Sequence, residues 1–212
     1  MPPATDESPP EVPGSLWERL RADPARAPEQ LALAAAERHG PAARDWAAGK
    51  RATFAHPPAD LARMAKRRHA AMARFGGAAT GVGGVVTVLP DLVALAWIQS
   101  RLVFFVAAAY GYDPLDPMRP AELLVLQRLY DDPAAARAAL DGTGRSLAVA
   151  WAGQRMSADQ ALASRLLKMV GKRAGRRVAG RLVPGVAIVV NAVGNERETR
   201  ALADRAIAFY GG

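Results

Sequence analysis

The side chains best placed to do chemistry in this chain are polar groups stranded in apolar surroundings. Between Phe75 and Tyr110 the only charges are Asp91 and Arg101, with Gln99 two residues before the second. Ionised groups are rarely buried without a partner, so Asp91, Gln99 and Arg101 are candidates for a polar site. Asn195, Thr199 and Arg200 fall on adjacent turns of one helix face and could meet Gln99 and Arg101 across a core. Together these six could cradle an anionic head group. The simpler structural reading makes Asp91 a helix cap and pairs Arg101 with Asp91, Asp204, Glu198 or a helix C-terminus. It is the preferred one.

A second set is purely basic. Lys168, Lys172 and Arg176 form one four-spaced row, and Arg173, Arg177 and Arg181 form another. Val170, Ala174, Val178 and Leu182 give an apolar strip beside them, and Gly171 and Gly175 interrupt it. Such a pattern suits a helix lying on an anionic bilayer surface. It suits equally a solvated outer face whose strip packs on a core.

Other chemistries are excluded or unsupported. Without cysteine there is no disulfide, no thiolate nucleophile and no Cys-ligated metal. The histidines at 39, 56 and 69 lack metal-binding spacing. Gly171-Lys172 has neither the upstream glycine nor the following Ser or Thr of a phosphate loop, and no nucleophile-elbow motif is present. Ser164 and Lys168 are four apart, but an exposed polar face accounts for them. No catalytic residue, metal or cofactor is expected.

Net charge is +8 and unevenly placed. Residues 61–110 carry six basic side chains against one acidic, and residues 159–212 carry ten against four. That placement points to an anionic partner near those segments, either a lipid surface or a nucleic acid. Nucleic acid is the weaker contender, because aromatics are not interleaved with the basic residues and no reading motif is present; a partner protein is a further expectation.

The elements that must position these groups read as helices, since Ala, Leu and Arg dominate and β-branched residues are sparse. Residues 1–14 hold five prolines and no apolar period, which predicts a disordered tail. N-terminal helices are expected over 15–57: a short one capped by Ser15, one from Pro28 to His39 stopped by Gly40-Pro41, and one from Ala42 to about Arg51. Pro57-Pro58 opens a longer amphipathic helix. A glycine-rich helix with Gly77 and Gly81 four apart follows, where backbones can approach closely. Pro90 is expected to end it, with Asp91 capping the next helix to Tyr110 and Gly111 as its stop.

Beyond a turn-rich connector at Asp113-Pro114 and Asp116-Pro117, helices are expected from Pro120 to about Asp131, from Pro133, and from Ser157 to about Leu182. Pro184-Gly185 breaks the chain before a final helix from Glu196 to Tyr210. The expected fold is all-α: one helical domain around a central glycine-rich helical hairpin.

The apolar run 75–89 is about 22 Å long as a helix, against a hydrocarbon core of about 30 Å. Leu92–Tyr110 is long enough, but Arg101 near its centre would cost roughly 2.5–3.5 kcal/mol. A protein-shielded core is therefore expected. MPPATDESPP has no positive n-region and no apolar h-region, so a cytoplasmic location is expected.

Several landmarks together resemble one known family. They are Gly76-Gly77 and Thr80-Gly81, Pro90-Asp91-Leu92, Gln99 and Arg101, and Ala109-Tyr110-Gly111-Tyr112-Asp113. Towards the C-terminus follow Leu182-Val183-Pro184-Gly185, Gly194-Asn195, Thr199-Arg200, Ala206 and Phe209-Tyr210. In this order they resemble the EcsC family over residues 58–212, while residues 1–57 resemble the N-terminal helices of its actinobacterial-type members. Ala187 and Val190 depart from the family's glycine pattern near Pro184. The resemblance implies a helical, cytoplasmic, membrane-associated protein and supplies no catalytic residues. A non-enzymatic accessory or scaffold protein, peripheral at the cytoplasmic membrane face, is the expected function. The competing expectation is an enzyme or small-ligand binder using Asp91, Gln99 and Arg101.

Overall fold

One helix, Gly84–Ala109, touches most of the others, and the fold is best built outward from it. The structure is a computed structural model that describes residues 10–53, 56–76, 84–143, 158–171 and 186–212. Among the described residues every regular element is helical. In chain order they are α1 (Gly14–Ala22), a 3-10 turn (Pro24–Arg26), α2 (Ala27–Thr53), α3 (Pro58–Gly76) and α4 (Gly84–Ala109). Then come α5 (Arg119–Leu126), α6 (Pro133–Leu140), α7 (Ala158–Val170) and α8 (Val186–Gly211).

The apolar residues of α4 lie all the way round it, which is the pattern of a helix enclosed by others. Trp97, Leu102, Phe104 and Val106 are fully buried, and α2, α3, α5, α7 and α8 all pack against it. The stretch Leu89–Ala109 is long and apolar enough to cross a membrane, and 89% of its most apolar window is buried inside the protein. Shielding by protein, as expected, is what this shows.

Several expected boundaries are corrected. Gly40-Pro41 does not stop a helix: α2 runs through Pro41. Proline removes one amide donor and crowds the preceding turn. Here Pro41 and Glu37, whose carbonyl loses its partner, are both exposed, so water can serve that carbonyl. Apolar faces on both sides of the proline (Leu31, Ala35, Ala43, Ala47) hold the helix together. Likewise α4 passes through Pro90, which is exposed, so Asp91 lies inside a helix and not at the start of one. Ser15 is not an N-cap either, because α1 begins at Gly14 behind Pro13. The segment before Glu196 is continuous with the final helix in α8.

Two helices end earlier than expected. α5 stops at Leu126 because Arg128 takes φ +60°, and α7 stops at Val170 because Gly171 takes φ +120°. The tail through residue 9, most of the glycine-rich stretch (77–83), Ser146–Ala152 and the Pro184-Gly185 break lie outside the described residues.

Other expectations hold. The helix expected from Pro133 is α6, and Asp132 caps it, its carboxylate accepting from the Ala135 amide at 2.8 Å. Gly111 ends α4 with φ +90°: the Gly111 amide donates to Ala108 and the Tyr112 amide to Ala107. These paired bonds serve carbonyls that the helix end leaves without partners. In the connector that follows, the Asp113 and Asp116 carboxylates accept from the amides two residues on.

Candidate functional site

The polar residues singled out in the sequence do not gather at one point. Asp91 and Arg101 are ten residues apart on one helix, or about 15 Å along its axis. Gln99 is buried and donates through Nε2 to Thr199 Oγ1 at 3.4 Å, joining α4 to α8. Arg101 lies with its guanidinium 4.8 Å from the Phe105 ring centroid and Nη1 4.0 Å from Met72 Sδ. A cation over an aromatic face in this way is attracted by the ring's quadrupole. Asp204, one partner proposed for Arg101, forms its ion pair with Lys66 of α3. Arg200 is exposed and bonds Glu196 one turn away, at 2.8 Å and 3.0 Å, and Asn195 is half-buried. Of the six residues, the described bonds bring together Gln99 and Thr199.

Of the basic set, Lys168 is at the end of α7, while Lys172, Arg173, Arg176, Arg177 and Arg181 lie outside the described residues. α7 ends at Val170, and Gly171 after it takes φ +120°.

A different polar cluster is built where α4, α5 and α8 meet. Arg119, Glu122, Tyr210 and Tyr112 converge there. Arg119 Nη1 bonds Glu122 Oε2, and its Nη2 reaches Asp116 at 3.3 Å. Tyr210 Oη donates to the same Glu122 oxygen at 2.6 Å. The Arg119 guanidinium lies 5.3 Å from the Tyr112 ring and 5.7 Å from the Tyr210 ring. Burial first, and then the Glu122 charge, raise the Tyr210 pKa far above the ordinary tyrosine value, so the phenol stays a donor. Burial likewise pushes the Glu122 carboxyl up, and the Met118 amide holds Asp116 down. Tyr210 ties α8 to Glu122 of α5, whereas Arg119 pairs within its own helix and with Asp116 of the connector, and a phenol held protonated is no activated nucleophile. Sequence reading missed Arg119 and Glu122. Their only signal was an i,i+3 pair of opposite charge in a proline-opened helix.

Next to this cluster, Arg51 from the last turn of α2 donates to the Ala108 and Ala109 carbonyls at 2.6 Å and 3.1 Å. A basic residue in a last turn ordinarily serves its own helix. Arg51 instead caps α4. With Arg44, whose Nη2 meets Asp113 Oδ1 at 3.3 Å, it borders a cleft of about 160 Å³ between α2 and the connector after Gly111. Tyr112 and Pro114 line the opposite side.

Two histidines flank α4. His39 of α2 lies 4.4 Å from the Trp97 ring, and His69 of α3 lies 5.1 Å from the Phe105 ring. Burial lowers both to about 3, with Arg101 adding to the effect. They are neutral at physiological pH. Among the described residues no group of three or more His, Asp or Glu side chains could hold a metal.

A search of the curated proteins finds no match to the chain, nor does a search of the solved structures. The landmarks at Tyr110–Asp113 and Phe209-Tyr210 thus converge on one interlocked corner. Residues 58–211 match the EcsC protein family, and the chain belongs to it.

Proposed function

We propose that the protein is a non-enzymatic accessory or scaffold protein. It sits peripherally at the cytoplasmic face of a membrane, attached through arginines next to its glycine-containing segments. The observation that supports this most is the outer stripe of α3. Arg63, Arg67 and Arg74, four and seven residues apart, are all exposed on one side, while Leu61, Ala65 and Met72 face the core on the other. Arg63 pairs with Asp60, and Arg67 and Arg74 precede the glycine-rich stretch 77–83 in the sequence. A basic stripe on a helix whose apolar face is already covered suits attraction to an anionic surface without insertion. The basic residues Lys168, Lys172, Arg173, Arg176, Arg177 and Arg181 would add to the same attraction.

Flotation of the full chain with phosphatidylcholine vesicles, with and without phosphatidylserine, tests the reading. The protein should float with the anionic vesicles alone, and added salt should release it. Each lysine or arginine near such a surface contributes about 1 kcal/mol. Arg67→Glu combined with Arg74→Glu should therefore weaken partitioning by at least about tenfold, with the circular dichroism unchanged. Equal recovery from neutral and anionic vesicles would refute it.

A further inference from the structure

The large apolar side chains exposed among the described residues are Tyr112, Leu115 and Phe209, and all three stand at one end of the molecule. The Tyr112 and Phe209 rings lie 5.1 Å and 5.0 Å from the Tyr210 ring. Leu115 reaches back over Gly40 of α2. Beside them opens the cleft of about 160 Å³, floored by Ala47, Ala48, Ala108 and Gly111, with Arg44 and Arg51 on its rim. A space of that size with a floor of small residues admits one aliphatic or aromatic side chain. The described bonds of both arginines run through Nη2, and a guanidinium carries five donors. Donors therefore remain at the rim for a carboxylate.

This end differs electrically from the α3 stripe. Asp113 stands against Arg44 and the carbonyl end of α4 against Arg51, and helix C-termini carry partial negative charge. Local charge is near balance, so an anionic bilayer gains little here. Exposed Tyr and Phe beside Arg is instead the composition of protein–protein interface centres.

We propose that this end docks a peptide segment of a partner protein that presents a carboxylate beside an aliphatic or aromatic side chain. The apolar side chain enters the cleft against Tyr112, and the carboxylate bonds Arg44 and Arg51 at the rim.

Panning the full chain, without lipid, against a random short-peptide library tests this. Selected peptides should share an Asp or Glu adjacent to Leu, Ile, Phe or Tyr. The best of them, synthesised, should bind Arg44→Glu and Ala48→Trp about tenfold or more weaker than the parent, since hydrogen bonds to charged groups carry differences of that size. Ala48 is exposed, so the tryptophan fills the cleft without disturbing the core. Arg67→Glu should bind as the parent does. Four results would overturn the proposal: no selected peptide, selected peptides without an acid, equal binding to Ala48→Trp, or self-association of the chain that Ala48→Trp abolishes. Vesicle binding lost in Ala48→Trp would also overturn it, by assigning the surface to lipid. The outcome is independent of the Arg67 and Arg74 flotation result, so failure of one reading leaves the other standing.

Discussion

Three helices end in the same backbone turn, and one of them does so at a residue ill suited to it. After α4 and α6 the left-handed position is occupied by Gly111 and Gly142; after α5 it is Arg128, with φ +60°. In all three the two amides that follow the last turn donate back to the same pair of carbonyls. An L side chain in that conformation is disfavoured by roughly 1–2 kcal/mol. Glycine loses part of the advantage through its freer unfolded state, about 0.4–1 kcal/mol. Arg128→Gly should therefore raise the urea midpoint by a net gain of about 0.5–1 kcal/mol without changing the slope. Removing the Arg128 charge also helps Arg205, whose ionisation burial disfavours first and Arg128 second. Gly171→Ala should do the opposite. Its φ is +120°, and an added Cβ would lie 2.6 Å from Glu198 Oε2 and 3.0 Å from Glu198 Cδ. Strain plus displacement of Glu198 should lower stability by about 1–3 kcal/mol in the same assay.

At the level of elements, prolines decided where the sequence was legible and where it misled. The all-α class, the amphipathic face of α3, the stop at Gly111 and the cap at Asp132 were all readable from local chemistry. Pro41 and Pro90 were not, because a proline's cost depends on which side of the helix it falls. Both fall outward, so neither breaks its helix. The missing hydrogen bond still has a cost of about 3 kcal/mol relative to alanine. Pro41→Ala should therefore stabilise α2 by about 2–2.5 kcal/mol after the unfolded-state offset of about 0.4–1 kcal/mol, read as a higher melting temperature. Gly40 beside it allows no such change: a Cβ there would lie 2.7 Å from Leu115 Cδ2 and 3.0 Å from the Pro114 carbonyl oxygen. Of the candidate site, only the Gln99–Thr199 contact was foreseeable, since both are polar residues on apolar faces. The Arg119–Glu122–Tyr210 cluster and the Arg51 cap depend on which helix ends meet in space, and no local pattern encodes that.

Across the whole molecule, the two buried histidines couple folding to pH. In the unfolded chain each imidazole takes up a proton near its ordinary value of 6.5, whereas in the folded protein uptake waits until about 3. Between those limits the unfolded state binds more protons, so stability rises with pH and is lost on acidification. For two groups the slope approaches about 2.7 kcal/mol per pH unit. Domains of this kind have a total stability of about 5–15 kcal/mol, of which the two histidines remove about 7 kcal/mol between pH 6.5 and 4. His39→Phe, which keeps a ring against Trp97, should roughly halve the slope between pH 6 and 4 in a chemical-denaturation series. A free energy of unfolding that does not fall between pH 6 and 4 would contradict this account.

The enclosure of Leu89–Ala109 also has a consequence during synthesis. The ribosome finishes that stretch before it makes α7 and α8, both of which cover it. Translation at about 5–20 residues per second leaves roughly 4–16 s before Val186 appears. For that interval the nascent chain displays a segment that by length and hydropathy qualifies as a membrane span. Whether it is handed to a chaperone or to the insertion machinery is decided before the C-terminal helix exists to hide it.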